Sequence, residues 1–253
     1  VNQPLATITP SATTICAGAT TTLAANAGMG YTYLWSNGAT TQAIDVTPAT
    51  TSTYTVTVSN STGCFTTSAV ATVTVNPALT PIISGIATVC AGTSTTLTAS
   101  STIGTTPLSY VWSTGATTAA ITVTPTATTS YSVTITDNNG CTATSAVSPV
   151  NVNQLPIINA SNFTTICNGT STTLTATGAS TYVWSPVSGL ATTNTSSVVA
   201  SPTATTTYTV TGTDVNGCVD TDTVTVNVVN QPLATITPSA TTICAGATTT
   251  LAA

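Results

Sequence analysis

Lysine, arginine, histidine and glutamate are absent from this 253-residue chain, and five aspartates carry its whole formal charge of −5. Each absence removes a class of chemistry. Without histidine, lysine or glutamate the usual groups for general acid–base work are missing, and so are the partners that activate a serine or cysteine nucleophile. Without cations nothing can neutralise phosphate, so nucleic acid is not an expected partner. No catalytic residue and no cofactor is expected, and the chain does not read as an enzyme. Five negative charges are too few to imply a basic partner. Long apolar runs are also missing. Thr, Ser and Asn interrupt each one well before the ~18–20 residues that a membrane-spanning helix needs.

What remains is rich in residues that prefer strands. About 70 are threonine, with much Ala, Ser and Val, and β-branched side chains fit a pleated surface better than a helix. A hydrophobic content of 41 % argues against disorder. The dominant feature is repetition. ICAGATTTLAA (15–25) is followed by VCAGTSTTLTA (89–99), ICNGTSTTLTA (166–176) and ICAGATTTLAA again (243–253). After each of the first three comes YLWS or YVWS, then a run ending in Gly-Cys (STYTVTVSNSTGC, TSYSVTITDNNGC, TTYTVTGTDVNGC), then a valine-alternating run. Residues 1–25 recur letter for letter at 229–253. The expected domains are therefore 1–76, 77–153 and 154–228, with 229–253 as the first two strands of the next repeat. A start without Met and a copied end read as a window on a longer chain.

Period-two alternation in TYTVTV and ATVTVN marks strands, and NG, TG and NNG mark turns. In the first domain strands are expected near 5–9, 19–25, 31–36, 42–46, 53–59 and 66–75. Six or seven short strands without helical periodicity make a small antiparallel β-sandwich. Short, proline-bearing linkers (75–81, 152–157) imply a stiff head-to-tail rod.

The pattern C-x-G-x-x-x-x-L-x-A, Y-x-W-S, G-A-T-T and Y-x-V-x-x-x-x-x-x-G-C resembles the Ig-like and PKD-like repeats of very large secreted Bacteroidetes proteins, including cell-surface and gliding-associated adhesins. The stretch 184–218 is especially similar to them. The resemblance implies an all-β fold of tandem Ig-like sandwiches, secretion, display on the cell surface, and no catalytic residues.

In an antibody-type domain a core disulfide joins strands B and F over a strand-C Trp, with a corner Tyr two residues before the second Cys. Here Trp35, Trp112 and Trp184 supply the tryptophan and Tyr54, Tyr131 and Tyr208 the tyrosine. Val56, Val133 and Val210 stand where the second cysteine would be, and Leu23, Leu97 and Leu174 stand at the strand-B position. All twelve are expected in the cores. The cysteines lie further out. Cys16, Cys90 and Cys167 fall in the turn before strand B, and Cys64, Cys141 and Cys218 between strands F and G. Two pairings are open. One closes each domain on itself: Cys16–Cys64, Cys90–Cys141, Cys167–Cys218. The other staples neighbours: Cys16–Cys141 and Cys90–Cys218, with Cys167 reaching the next repeat's equivalent of Cys64 and Cys244 the next equivalent of Cys141. The F–G and A–B ends of an Ig-like domain are roughly 25–30 Å apart, against the ~7 Å a disulfide spans, which favours the staple. Either way regular cysteines without histidine suit disulfides in an oxidising compartment better than zinc.

Asp137 and Asp214 precede Asn-Asn-Gly-Cys and Val-Asn-Gly-Cys and read as turn residues. A calcium site near Asp214, Asp220 and Asp222 is the competing reading, weakened by the many oxygens calcium requires. Thr223, in Asp-Thr-Val, is a candidate for O-linked sugar. With no Lys or Arg to guard its edges, the chain is expected either to wear glycan or to associate laterally. These readings converge on an extracellular filament or adhesin stalk whose partners are further copies of itself. The alternatives are an Ig-like array that binds a ligand or glycan, and a spacer in a secreted multidomain enzyme.

Overall fold

The computed structural model describes residues 2–232, 235, 237, 238 and 242–252, and their regular elements are strands and turns. The first repeat holds β1 (Ile8–Thr9), β2 (Ala12–Cys16), β3 (Thr21–Ala25), β4 (Thr32–Trp35), β5 (Ala43–Val46), β6 (Ser52–Tyr54), β7 (Val56–Ser59), β8 (Phe65–Thr67) and β9 (Ala71–Asn76). One sheet has the order β1-β3-β5, and the other layer is made by β2-β9-β6 and β4-β7-β8. Alternating side chains from both layers meet in one cluster: Leu23, Ala25, Ile44 and Val46 face Trp35, Val56, Val58, Ala71 and Val73. This is an Ig-like sandwich. The middle repeat is built alike, with Pro81–Gly85, Thr95–Ser101 and Ala120–Val123 in one sheet and the remaining strands in two three-stranded sheets. In the third, Asn159–Ala160, Thr172–Thr177 and Ser197–Ala200 oppose a four-stranded sheet of Thr164–Cys167, Val219–Val229, Thr206–Thr213 and Thr181–Ser185. The chain falls into two compact units, Val1–Asn151, which holds the first two sandwiches, and Val152–Ala253.

The strand map read from sequence needs two corrections. The first is β2, which was not expected. Strand A does not run straight into a turn. After β1 the chain passes through Pro10, whose missing N–H cannot serve a ladder, and β2 then pairs in parallel with β9, Cys16 facing Asn76. Cys16 therefore ends a strand. The second correction is that strand F (β6 and β7) and strand G (β8 and β9) of the first repeat are broken. Thr57 faces Thr67 while Tyr54 faces Ala71, so three steps on one strand match four on the other. The middle repeat shows the same slip, Thr134 facing Thr144 and Tyr131 facing Ser148. Each is a bulge of one extra residue. The freed Val56 N–H donates to Ser68 Oγ, and Val133 N–H to Ser145 Oγ. The third repeat has no slip: Thr206 faces Val226 and Thr213 faces Val219 along one unbroken pairing.

Surface strands carry hydroxyl pairs where charged pairs are common. Thr57 and Thr67 Oγ1 lie 3.0 Å apart, Thr134 and Thr144 2.8 Å, Thr207 and Thr225 2.8 Å. Such pairs stabilise neighbouring strands without ions. In the copied segment Thr237 faces Ala252 as Thr9 faces Ala24. Residues 233, 234, 236, 239–241 and 253 of that segment, and the side chain of Leu251, lie outside the described residues.

Candidate inter-domain joint

Each cysteine sits beside a glycine turn, and there are two kinds. In the first kind the cysteine opens the turn and the residue three on closes it. Ala19 N–H donates to Cys16 O, Thr93 to Cys90, Thr170 to Cys167 and Ala247 to Cys244, all at 2.9–3.0 Å. The third position has positive φ (Gly18 82°, Gly92 75°, Gly169 88°, Gly246 86°), a conformation that glycine takes without penalty. In the second kind an Asn or Asp four residues earlier grips the cysteine. Asn60 Oδ1 accepts from the N–H of Thr62 and Cys64, Asp137 Oδ1 from Asn139 and Cys141, and Asp214 Oδ1 from Asn216 and Cys218. The three turns share one geometry whether the acceptor is Asn or Asp.

Within the first unit the two kinds meet. Cys16 and Cys141 form a disulfide with Cα atoms 5.5 Å apart, 125 residues apart in sequence. Asn76 Nδ2, beside Cys16 in the ladder, points at Cys141 Sγ at 3.9 Å. The bond joins the end of the first sandwich to the F–G turn of the second. That turn is itself tied to the loop before strand C: Thr105 N–H donates to Asp137 Oδ2, Asn138 N–H to Thr105 O, and Asn139 Nδ2 to Thr105 Oγ1. Leu79, from the linker, is buried against Gly104 of the same loop. Cys90 and Cys218 are each engaged in a disulfide too, and Cys218 Sγ lies 4.0 Å from Asn153 O. Cys64, Cys167 and Cys244 carry free thiols, the last two exposed.

The self-closing pairing is not what the structure holds. Cys16–Cys64 and Cys90–Cys141 are not formed, because Cys16 and Cys141 are bonded to each other, and Cys167–Cys218 is not formed, because Cys167 is free. The reason is distance along strand G. Cys64 precedes β8, whereas Cys16 lies beside Asn76 at the far end of β9. That stretch covers roughly 35 Å at ~3.3 Å per residue.

The core residues lie as follows. Leu23, Leu97 and Leu174, Trp35, Trp112 and Trp184, and Val56, Val133 and Val210 are all buried, as are Tyr131 and Tyr208. Tyr54 departs from this set: it is only half-buried and packs on the rim of its cluster. Each Trp ring N–H finds a carbonyl, Thr41, Thr118 or Thr195. In the third repeat the longer loop after Trp184 folds inward. Trp184 N–H donates to Thr193 O, and Tyr208 OH to Ser188 O.

Asp137, Asp214, Asp220 and Asp222 are all held by backbone donors. Asp222 Oδ1 accepts from Thr223 N–H and Oδ2 from Ala160 N–H, tying strand G to strand A. Asp220 Oδ1 accepts from Thr221 N–H. Among the described residues no three His, Cys, Asp or Glu side chains converge as a metal site would require, so Asp214, Asp220 and Asp222 do not gather at one point. The Thr105 N–H holds Asp137 below the ordinary carboxylate range, burial pulls the other way, and the N–H groups of Cys141 and Asn139 add to the lowering. At Asp214 burial pushes upward, and the donors from Cys218, Asn216 and Gly217 together outweigh it. Thr223 is exposed on strand G. Nothing in the sequence singled out Ser68, Ser145 or Asn76, whose roles arise from a register slip and a parallel pairing.

No family model matches the chain, and no curated protein matches it. Among solved structures it is similar to a 1.5-MDa bacterial ice-binding adhesin (17 % identity, 90 % of this chain and 100 % of that one, TM-score 0.35). It is also similar to a calcium-stabilised adhesin of an Antarctic bacterium that binds ice (18 %, 94 % and 76 %, TM-score 0.38) and to fibronectin(III)-like modules of Clostridium thermocellum CbhA (16 %, 59 % and 95 %, TM-score 0.31). Likenesses of this strength carry nothing about what the chain binds. Its assignment as Ig-like β-sandwiches rests on its own strand pairings.

Proposed function

We propose that the chain is a segment of an extracellular stalk or filament built from tandem Ig-like sandwiches stapled to one another. One observation carries the reading: the Cys16–Cys141 bond spends its cysteines on joining neighbouring sandwiches and leaves each core to aliphatic and aromatic packing. A structural disulfide needs an oxidising compartment, and the resemblance to repeats of secreted Bacteroidetes surface proteins points the same way. The missing ionisable side chains support a structural rather than an enzymatic role.

The partners on this reading are further copies of the repeat, along the fibre and beside it. Leu34, Val111 and Val183 occupy the same outward position on strand C of each sandwich and are 55–57 % exposed. An apolar residue repeated at one surface position suits lateral packing. Surface glycan, for which Thr223 remains the candidate residue, would cover the outer face of the sheet that carries Val183. A ligand-binding array would use a diverged loop, such as the longer loop of the third sandwich. Its hydrogen bonds to Trp184 and Tyr208 favour a structural use.

Negative-stain electron microscopy of the native material tests the reading. The expected image is a long uniform fibre with an axial repeat of roughly 120 Å, about 40 Å for each of three sandwiches. Isolated flexible tails, or particles dominated by a catalytic body, would overturn it.

A further inference from the structure

We infer that Cys167 of one three-sandwich repeat is disulfide-bonded to Cys64 of the next, so that the staple within the repeat also closes the junction between repeats. The inference rests on the reading of the chain as one lap of a longer array.

Three observations meet here. The first is local geometry. Cys167 ends a strand parallel to strand G and opens a glycine turn, as Cys16 does: Ala17 N–H donates to Asn76 O and Asn168 N–H to Val229 O, both at 2.9 Å. Cys64 sits in the same gripped turn as Cys141. In the first unit a half-site of the one kind is bonded to a half-site of the other. Cys167 and Cys64 are the same two kinds with their thiols free.

The second observation is the copied sequence. Val229 and Asn230 repeat Val1 and Asn2 within a 25-residue identity, so the end of one lap and the start of the next are written in the same residues. The third observation uses that identity. Cys167 faces Val229 in the ladder, one residue before Asn230. In the first sandwich, Asn60 of the Cys64 turn donates its Nδ2–H to Asn2 O at 3.3 Å. The residue beside the Cys167 half-site, Val229, and the residue beside the Cys64 half-site, Asn2, are thus adjacent positions of the repeat. When Asn230 of one lap takes the place of Asn2 of the next, both thiols border the same two-residue segment.

Bond formation balances with a small-molecule disulfide as oxidant. Two thiols and one oxidised glutathione give one protein disulfide and two reduced glutathiones, by way of a mixed disulfide. The lap junction differs from the joint within the first unit at two residues. Asn60 stands where Asp137 stands, and Val229 where Asn76 stands, so the junction holds no carboxylate.

The test uses the 253-residue chain and a chain extended after Ala253 by a second copy of residues 26–228. Both are incubated in a glutathione redox buffer and alkylated. They are then digested without reduction by thermolysin, since trypsin has no site, and mapped by mass spectrometry. The expected result in the extended chain is a cross-linked peptide joining Cys167 to the second copy's counterpart of Cys64. If separate chains join, the 253-residue chain also gives a Cys64–Cys167 peptide and a ladder on a non-reducing gel, and Cys64→Ser removes the ladder. If successive laps of one chain join, the peptide appears in the extended chain alone. Alkylation of both thiols in both chains with the Cys16–Cys141 peptide intact overturns the inference, as does Cys167 paired with Cys244. Fibres seen by microscopy with both thiols alkylated would remove this bond and leave the stalk reading standing.

Discussion

Leu174 shows how the sandwiches manage without a buried disulfide. It is 1 % exposed and shares a cluster with Trp184, Tyr208 and Val210, so an aliphatic contact fills the place where a B–F bridge would lie. Leu174→Ala should cost about 2–5 kcal/mol, from lost transfer energy and the cavity left behind. Val183→Ala, one residue from Trp184 but facing outward, should stay within about 0.5 kcal/mol. Urea unfolding of both variants checks the contrast, and equal losses would mean the core is misassigned. Asp137 makes a second residue-scale prediction. Its folded pKa is lowered, so its charged form stabilises the fold above the unfolded value near 3.9, and that contribution is lost as pH falls through the folded value. Asp137→Asn can keep the turn, as Asn60 does, but turns an amide N–H towards the Thr105 N–H. Stability at pH 7 should fall and the acid limb of the stability curve should flatten. A variant that keeps the wild-type acid dependence would show that another carboxylate governs it.

At the scale of elements, the bulge separates the first two sandwiches from the third. Cys64 to Asn76 is one residue longer than Cys218 to Val229, and that residue is the extra step in strand G. Its cost is a buried backbone N–H on Val56 or Val133 with no strand partner, which a serine hydroxyl meets. Ser68→Ala or Ser145→Ala should each cost about 1–3 kcal/mol, the penalty for an unsatisfied buried donor. Thr223→Ala, on the unbroken strand G of the third sandwich, should change stability by less than about 0.5 kcal/mol. Thermal unfolding of the three variants measures this, and an unchanged midpoint for the serine variants would mean water replaces the hydroxyl.

At the scale of the whole molecule, the absence of charge and the placement of disulfides act together. With no Lys or Arg, trypsin should leave the chain intact even in denaturant, where pepsin degrades it. The Cys16–Cys141 bond closes a loop of over a hundred residues, for which chain entropy alone gives about 4–5 kcal/mol. Reduction should therefore lower the unfolding midpoint of the first unit while its strand content persists below the transition. Circular dichroism with and without dithiothreitol checks this, and coincident curves would make the bond incidental to stability.

The repeat, most of the strands and most of the core positions were legible in the sequence because alternation and burial share one period: a residue such as Val133 reads as inward from its neighbours alone. The gripped turns were legible for the same local reason, since Asn or Asp, Gly and Cys at fixed spacing define the bend without reference to the rest of the fold. Which cysteine meets which was not local. The sequence left two pairings open, and the choice turned on β2, a strand whose parallel partner lies some sixty residues away. The bulges were hidden likewise, since one extra residue in SAVATV is invisible until it is laid against strand F. Sequence by itself determined composition, period and core, which depend on near neighbours. Tertiary structure decided the register and the joint, because these depend on where distant strands come to rest against each other.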